Sequence, residues 1–176
     1  MTKVNVILAW CEGFGIGVSN SLPWRIPGDL KRFSRLTIGD ELSAVIMGKN
    51  TWKSLPKRPL KERINIIVSS TMKQNYHQFQ NDALVTQSLK QAIDLCEANA
   101  IDTCWIIGGQ KLLESLPVDR LDIAEITVIN ERFQCDTFVP SHVSNHITTQ
   151  MNLSNVETFK HGDISGEYRT YTKKHW

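Results

Sequence analysis

Among the side chains that could do chemistry, Asp29 is placed most suggestively. It follows Pro27-Gly28 and precedes Leu30, Phe33 and Leu36 at helical spacing. That puts it in the first turn of a helix, where the positive helix end favours a carboxylate by roughly 0.3–1 kcal/mol. A pocket of Ile7, Ala9, Leu30 and Phe33 would oppose ionisation. A carboxyl under those opposed pressures can be poised as an acid. The plainer alternative is a helix cap, a common duty for aspartate, and the surroundings have to decide between the two.

Two glycine turns supply a second kind of chemistry. In Ile106-Ile107-Gly108-Gly109-Gln110-Lys111 and in Met47-Gly48-Lys49-Asn50-Thr51-Trp52 a strand passes through glycine into a helix. Backbone amides and the helix end can then face a phosphate. A Gly-Gly turn alone is usually only tight packing, but two such turns in a short chain suggest a ligand with more than one phosphate. Ser69, Ser70 and Thr71 follow a third strand, with Lys49 as a source of charge. Neither turn matches G-x-G-x-x-G or G-x-x-x-x-G-K-[ST], so a dinucleotide held in another way fits better than either motif. Arg63 opens a strand, where a guanidinium can grip a carboxylate through two parallel hydrogen bonds. The segment Gly13–Trp24 is punctuated by glycine yet carries apolar side chains, as a loop that closes over a ligand would.

The elements that must position these groups follow from periodicity. Val4–Ala9, Ala44–Met47, Ile64–Val68, Ala83–Thr86, Cys104–Ile107 and Ile123–Ile129 are apolar runs of strand length. Helical spacing lies between them, including Leu89, Ala92, Ile93 and Cys96 after Ser88. Alternating strands and helices predict an α/β fold with a mostly parallel twisted sheet covered on both faces. Val156–Lys160 and Glu167–Lys173 alternate around His161-Gly162-Asp163 and predict an antiparallel ribbon at the sheet edge. In such sheets ligands gather at the carboxyl ends of the strands.

Composition narrows the partners. The 176 residues are 41% apolar and 22% charged, with a net charge of +2, which predicts a single domain spanning 1–176. Charges are interspersed, so no nucleic-acid partner is expected. The first apolar run is too short for a membrane span, and a cytoplasmic protein is expected. Cys11, Cys96, Cys104 and Cys135 are widely spaced, with no C-x-x-C pair and no histidines at zinc spacing. Reduced thiols and no bound metal are expected.

Taken in order, the motifs resemble dihydrofolate reductase over essentially the whole chain. The resemblance is carried by Ile16-Gly17, Leu22-Pro23-Trp24, Pro27-Gly28-Asp29-Leu30 with Phe33, and Val45 through Ser54. It continues through Arg58-Pro59-Leu60, Arg63-Ile64-Asn65, Ser69-Ser70, Ile107-Gly108-Gly109, Thr127 and Asp136-Thr137-Phe138. It implies NADPH as cofactor, with dihydrofolate and antifolate inhibitors as ligands and a monomer as the working state. It further implies that Asp29 bonds the pterin and promotes protonation at N5, that Thr127 ties Asp29 to a water, and that Trp24 bonds a water near the pterin. Ile7, Ala9, Leu30, Phe33, Ser54, Leu55, Leu60 and Ile107 would line the folate cleft, with Arg63 on the glutamate carboxylate.

For the cofactor, the resemblance implies Gly108, Gly109, Gln110 and Lys111 at the pyrophosphate. Gly48, Lys49, Asn50, Thr51, Ser69 and Ser70 would lie toward the adenosine half, and Ala9, Ile16, Gly17, Leu22 and Leu113 near the nicotinamide. Leu113 departs from the family, which usually has tyrosine there, and Cys11 and Cys135 are unusual beside the mobile loop. Two other readings stay open: a module that binds folate and NADPH but turns over poorly, and the related reductase of riboflavin synthesis.

Overall fold

A computed structural model describes residues 1–19, 21–72 and 83–175; Asn20, in the glycine-punctuated loop, lies outside the described residues. The strands are β1 (Lys3–Trp10), β2 (Gly15–Gly17), β3 (Ser43–Gly48), β4 (Ile64–Val68), β5 (Leu84–Thr86), β6 (Thr103–Gly108), β7 (Ile123–Ile129), β8 (Thr137–Phe138), β9 (Met151–His161) and β10 (Ile164–Lys173). The α-helices are α1 (Pro27–Ile38), α2 (Lys49–Ser54), α3 (Leu89–Ala98), α4 (Gln110–Leu113) and α5 (Ser141–Asn145).

Eight strands form one sheet in the order β5-β4-β3-β6-β1-β7-β10-β9. Strands β1 and β3 to β7 pair in parallel, and β10 runs antiparallel to both β7 and β9. The chain begins at the centre, passes outward through β3 to β5, then returns to slot β6 between β3 and β1. In an open α/β sheet the usual place for a ligand is at the carboxyl ends of the strands where the order changes direction, here beside β6, β1 and β7.

The central strands are covered on both faces, which is why they read as continuous apolar runs rather than alternating ones. Along β1, Val4, Val6, Leu8 and Trp10 enter one buried cluster with Ala92, Ile93 and Cys96 of α3. Ile7 enters another with Val45, Met47 and Trp105, against which Phe33 and Leu36 of α1 pack. Helix α1 begins at Pro27, whose missing N–H costs nothing at that position. Helix α3 starts at Ser88, whose hydroxyl accepts a hydrogen bond from the Gln91 N–H at 3.1 Å.

The small β2–β8 pair lies outside the main sheet and ties the loop after β1 to the segment after β7. At its base the sulfurs of Cys11 and Cys135 sit 4.0 Å apart as free thiols. Gly15 makes room for them, since a Cβ there would come within 2.5 Å of the Cys135 sulfur and 3.2 Å of the Cys11 sulfur.

Candidate active site

Asp29 occupies the first turn of α1, and Thr127 of β7 donates a hydrogen bond to its carboxylate at 2.9 Å. The two residues are 98 positions apart in sequence and meet because β7 lies beside β1 under the start of the helix. Burial pushes the Asp29 carboxyl above the ordinary aspartate value, against the Thr127 hydrogen bond and the Arg32 charge, which pull it down. The opposing pull on Asp29 thus comes from Thr127 and Arg32, two side chains, where the sequence pointed to the helix end, and burial is the larger effect. Leu30 takes little part in that burial, being 72% exposed.

Trp24 lies just before α1, buried with Cys11, Ile26 and Ile129, and Ala9 and Phe133 pack against the group. Its indole N–H has no protein partner. A buried donor left unpaired costs about 1–3 kcal/mol, so the position suits a water or a polar ligand atom. The loop ahead of it is fastened at its base: the Ser19 N–H donates to the Asp136 carboxylate at 2.9 Å, and the Asp136 N–H donates to the Gly17 carbonyl at 2.9 Å. Within that loop Leu22 is 55% exposed, while Ile16 packs against the larger core cluster.

Arg63 is half-buried at the start of β4. Its Nε donates to the Lys61 carbonyl at 2.8 Å and its Nη1 to the Thr37 hydroxyl at 3.0 Å, with Phe33 6.0 Å from the guanidinium. Two protein contacts fix the plane and leave other N–H groups for a carboxylate. Leu55, Leu60 and Ile107 pack with Ile7 and Phe33 in one apolar group, whereas Ser54 is exposed and donates to the Thr51 carbonyl.

The two glycine turns come together. Met47 of β3 pairs with Gly108 of β6, and a Cβ on Gly48 would sit 3.8 Å from the Gly109 nitrogen. Gly108 has φ of +113°, a conformation that L side chains rarely adopt. Thr51 of α2 reaches the same spot, its hydroxyl 3.5 Å from a Cβ built on Gly109. Asn50, Ser70 and Lys111 are exposed. Lys49 donates to the Thr71 hydroxyl at 3.1 Å, and the Ser69 hydroxyl accepts from the Thr71 and Met72 N–H groups.

Gln110 and Leu113 each make contacts within the protein. The Gln110 side-chain amide oxygen Oε1 accepts from the Phe138 N–H at 2.7 Å, so this side chain holds β8. Leu113 is fully buried in the larger core cluster. Its N–H bonds the Gly109 carbonyl, closing the single turn of α4 and directing the side chain into the core.

The sequence reading missed a group of charged residues next to Asp29. Arg32, one turn along α1, donates to Glu125 of β7 at 2.6 Å, and the Thr170 hydroxyl of β10 lies 2.8 and 3.0 Å from the two Glu125 oxygens. The Arg32 guanidinium also stands 4.4 Å from the centre of the Tyr168 ring. The available signal was a lone glutamate inside the apolar run Ile123–Ile129, two positions before Thr127 and therefore on the same face of the strand.

A half-buried acid lies near paired glycine turns at neighbouring strand ends, an arrangement able to combine proton donation with the binding of a phosphate-bearing ligand. A family model described as Dihydrofolate reductase matches residues 3–173. A dihydrofolate reductase of Drosophila melanogaster is 38% identical, with 80% of this chain and 81% of that protein aligned. One from Aedes albopictus is 36% identical across 98% of both chains. A viral dihydrofolate reductase of Saimiriine herpesvirus 2 is 36% identical across 78% of this chain and 68% of its own length. The chain belongs to the dihydrofolate reductase family, and it is an enzyme.

Proposed function

We propose that this enzyme reduces 7,8-dihydrofolate to 5,6,7,8-tetrahydrofolate with NADPH, and that Asp29 is the acid at the pterin. The observation that carries the reading is the half-buried Asp29 carboxyl, bonded to Thr127 and raised in pKa by burial in the first turn of α1. When bound, a reduced nicotinamide supplies the hydride, which goes to C6 of the pterin. Asp29 bonds the pterin amino group and ring nitrogen and promotes protonation at N5, because a carboxyl with a raised pKa keeps its proton closer to neutral pH. Thr127 fixes which way that carboxyl faces.

The remaining residues bind and orient. Trp24 offers its unpaired N–H to a water near the pterin. Ile7, Ala9, Leu30, Phe33, Ser54, Leu55, Leu60 and Ile107 line the folate cleft, and Arg63 grips the glutamate carboxylate. Gly108, Gly109 and Lys111 face the pyrophosphate, while Gly48, Lys49, Asn50, Thr51, Ser69 and Ser70 take the adenosine half. The adjacency of the two glycine turns supports that division, since one dinucleotide can span both. Ile16, Gly17 and Leu22 close over the nicotinamide, Gln110 acts through its hold on β8, and Leu113 through packing. Antifolates compete for the same cleft.

The same reading has the chain act as a monomeric single domain in the cytoplasm. Among the described residues no helix is long and apolar enough to cross a membrane. The test is loss of reduced-nicotinamide absorbance on mixing protein, NADPH and dihydrofolate, with and without methotrexate. Rapid, methotrexate-sensitive oxidation is expected. Saturable binding of both ligands without oxidation would instead establish a binding module and make Leu113 the first residue to replace with tyrosine.

A further inference from the structure

Asp29 and Arg32 are three residues apart on α1 and so share a face of the helix. Both are tied to β7 at alternate positions, Asp29 to Thr127 and Arg32 to Glu125. The register continues into β10, where Tyr168 lies opposite Thr127 and Thr170 opposite Glu125. The Arg32 and Glu125 side chains retain 13% and 8% of their exposure, so the ion pair is largely withdrawn from water.

Such a pair is a poor device for stability. Desolvating both charges offsets most of their attraction, and well-packed apolar side chains of similar volume commonly do as well or better. Its value here lies in where it stands. Arg32 is the cation whose field reaches Asp29, and Glu125 is the anion that neutralises it from the strand side. The other titratable group close by is Tyr168 of β10, which sits against Arg32 and responds to Asp29 and to Glu157 of β9. Lys31 and Arg35 of α1 are exposed, and the β1 residues opposite Glu125 and Thr127 are the apolar Ile7 and Ala9.

We propose that Arg32 and Glu125 are positioning residues for the reduction: their ion pair pins the first turn of α1 to β7, and Glu125 sets how much of the Arg32 charge Asp29 meets. The inference rests on Asp29 being the acid of the proposed function. Activity of a protonated acid declines as pH rises through its pKa, so each partner has a signed consequence. Glu125→Gln leaves the Arg32 charge uncompensated, favours the Asp29 carboxylate and moves the decline of kcat/KM to lower pH. Arg32→Met removes the cation, leaves Glu125 facing the site and moves the decline to higher pH. Nearby charges commonly shift a carboxyl by about one unit or more, and opposite shifts of that order are expected.

The experiment records kcat/KM against pH for the protein and both variants, alongside carbon NMR titration of the Asp29 carboxyl without any ligand. Shifts of opposite sign in both measurements support the positioning role. Shifts of the same sign, or none, overturn it, because a purely structural pair would lower activity without moving the limb in opposed directions. Should either single variant fail to fold, Arg32→Leu/Glu125→Leu keeps the test alive. It removes both charges together, so its Asp29 titration is expected close to that of the parent, and a large displacement overturns the inference. A parent protein that never oxidises NADPH would defeat the reading of the reaction instead, while the carbon titration would still decide whether this pair governs Asp29.

Discussion

The two halves of the proposed ligand site are built on different physics. At the end formed by α1, β7 and β10, the proposed function rests on a few side chains held away from water: Asp29 on Thr127, Arg32 on Glu125, Thr170 behind them. At the end formed by β3, β4 and β6 it rests on glycine backbone, with the exposed side chains of Asn50, Ser70 and Lys111 around it. Electrostatic effects grow as the surroundings become less polar, so a single substitution should be felt strongly at the first end. Contacts shared among backbone amides and exposed groups should tolerate single side-chain losses at the second.

Asp29→Asn gives the hardest test of that asymmetry. Losing a general acid typically costs about 10²–10⁴-fold, and kcat at neutral pH should fall by that order. In acid, where solvent can protonate the pterin, the loss should be smaller; equal turnover across the pH range would remove Asp29 from the mechanism. Arg63→Ala follows. A hydrogen bond to a charged group contributes about 1.5–3 kcal/mol, so the KM for dihydrofolate should rise roughly 10- to 150-fold, and much less for a pterin lacking the glutamate.

Thr127→Val removes one hydrogen bond to Asp29, worth about 1 kcal/mol, and kcat should drop about fivefold. Because that bond lowers the Asp29 pKa, its loss should also move the decline of kcat/KM to higher pH, read from a pH–rate profile. Lys49→Ala, at the open end, should change least. Exposed ion pairs contribute about 0.2–1 kcal/mol, so the KM for NADPH should rise only a few-fold, with added salt erasing the difference. A larger effect for Lys49 than for Thr127 would break the comparison.

Stability offers a further check with a definite sign. The folded Asp29 carboxyl has a raised pKa, so the stability linked to its proton is fully present below the ordinary value of 3.8 and is lost as pH rises through the folded value. Asp29→Asn cannot ionise. Its thermal midpoint should exceed the parent's at neutral pH, and the advantage should vanish in acid below that ordinary value.

Much of this was legible in the sequence, for identifiable reasons. Strands β4 and β7 run from Ile64 to Val68 and from Ile123 to Ile129 as the apolar runs predict, because sheets buried on both faces leave uninterrupted hydrophobic segments. The first-turn placement of Asp29 and the two glycine turns are local features, and both are present. Strands β2 and β8 were not legible, being three and two residues long, too short for any periodicity. Strand β9 starts at Met151, ahead of the expected Val156, because Asn152, Ser154 and Asn155 lie along the exposed sheet edge and break the polar–apolar alternation. The Arg32–Glu125 pair joins residues 93 apart in sequence, a separation that no local pattern encodes.

At the base of the loop, Gly15 and the sulfurs of Cys11 and Cys135 share a space that cannot hold one more methyl group. Positions 11, 15 and 135 are therefore not free to drift separately. A lineage can acquire a side chain at 15 once a smaller residue has arisen at 135 or 11, whereas the reverse order passes through a loop that no longer closes on its anchor. Near relatives should show these positions changing in pairs, and the order of those changes would be a historical record written at the base of the loop.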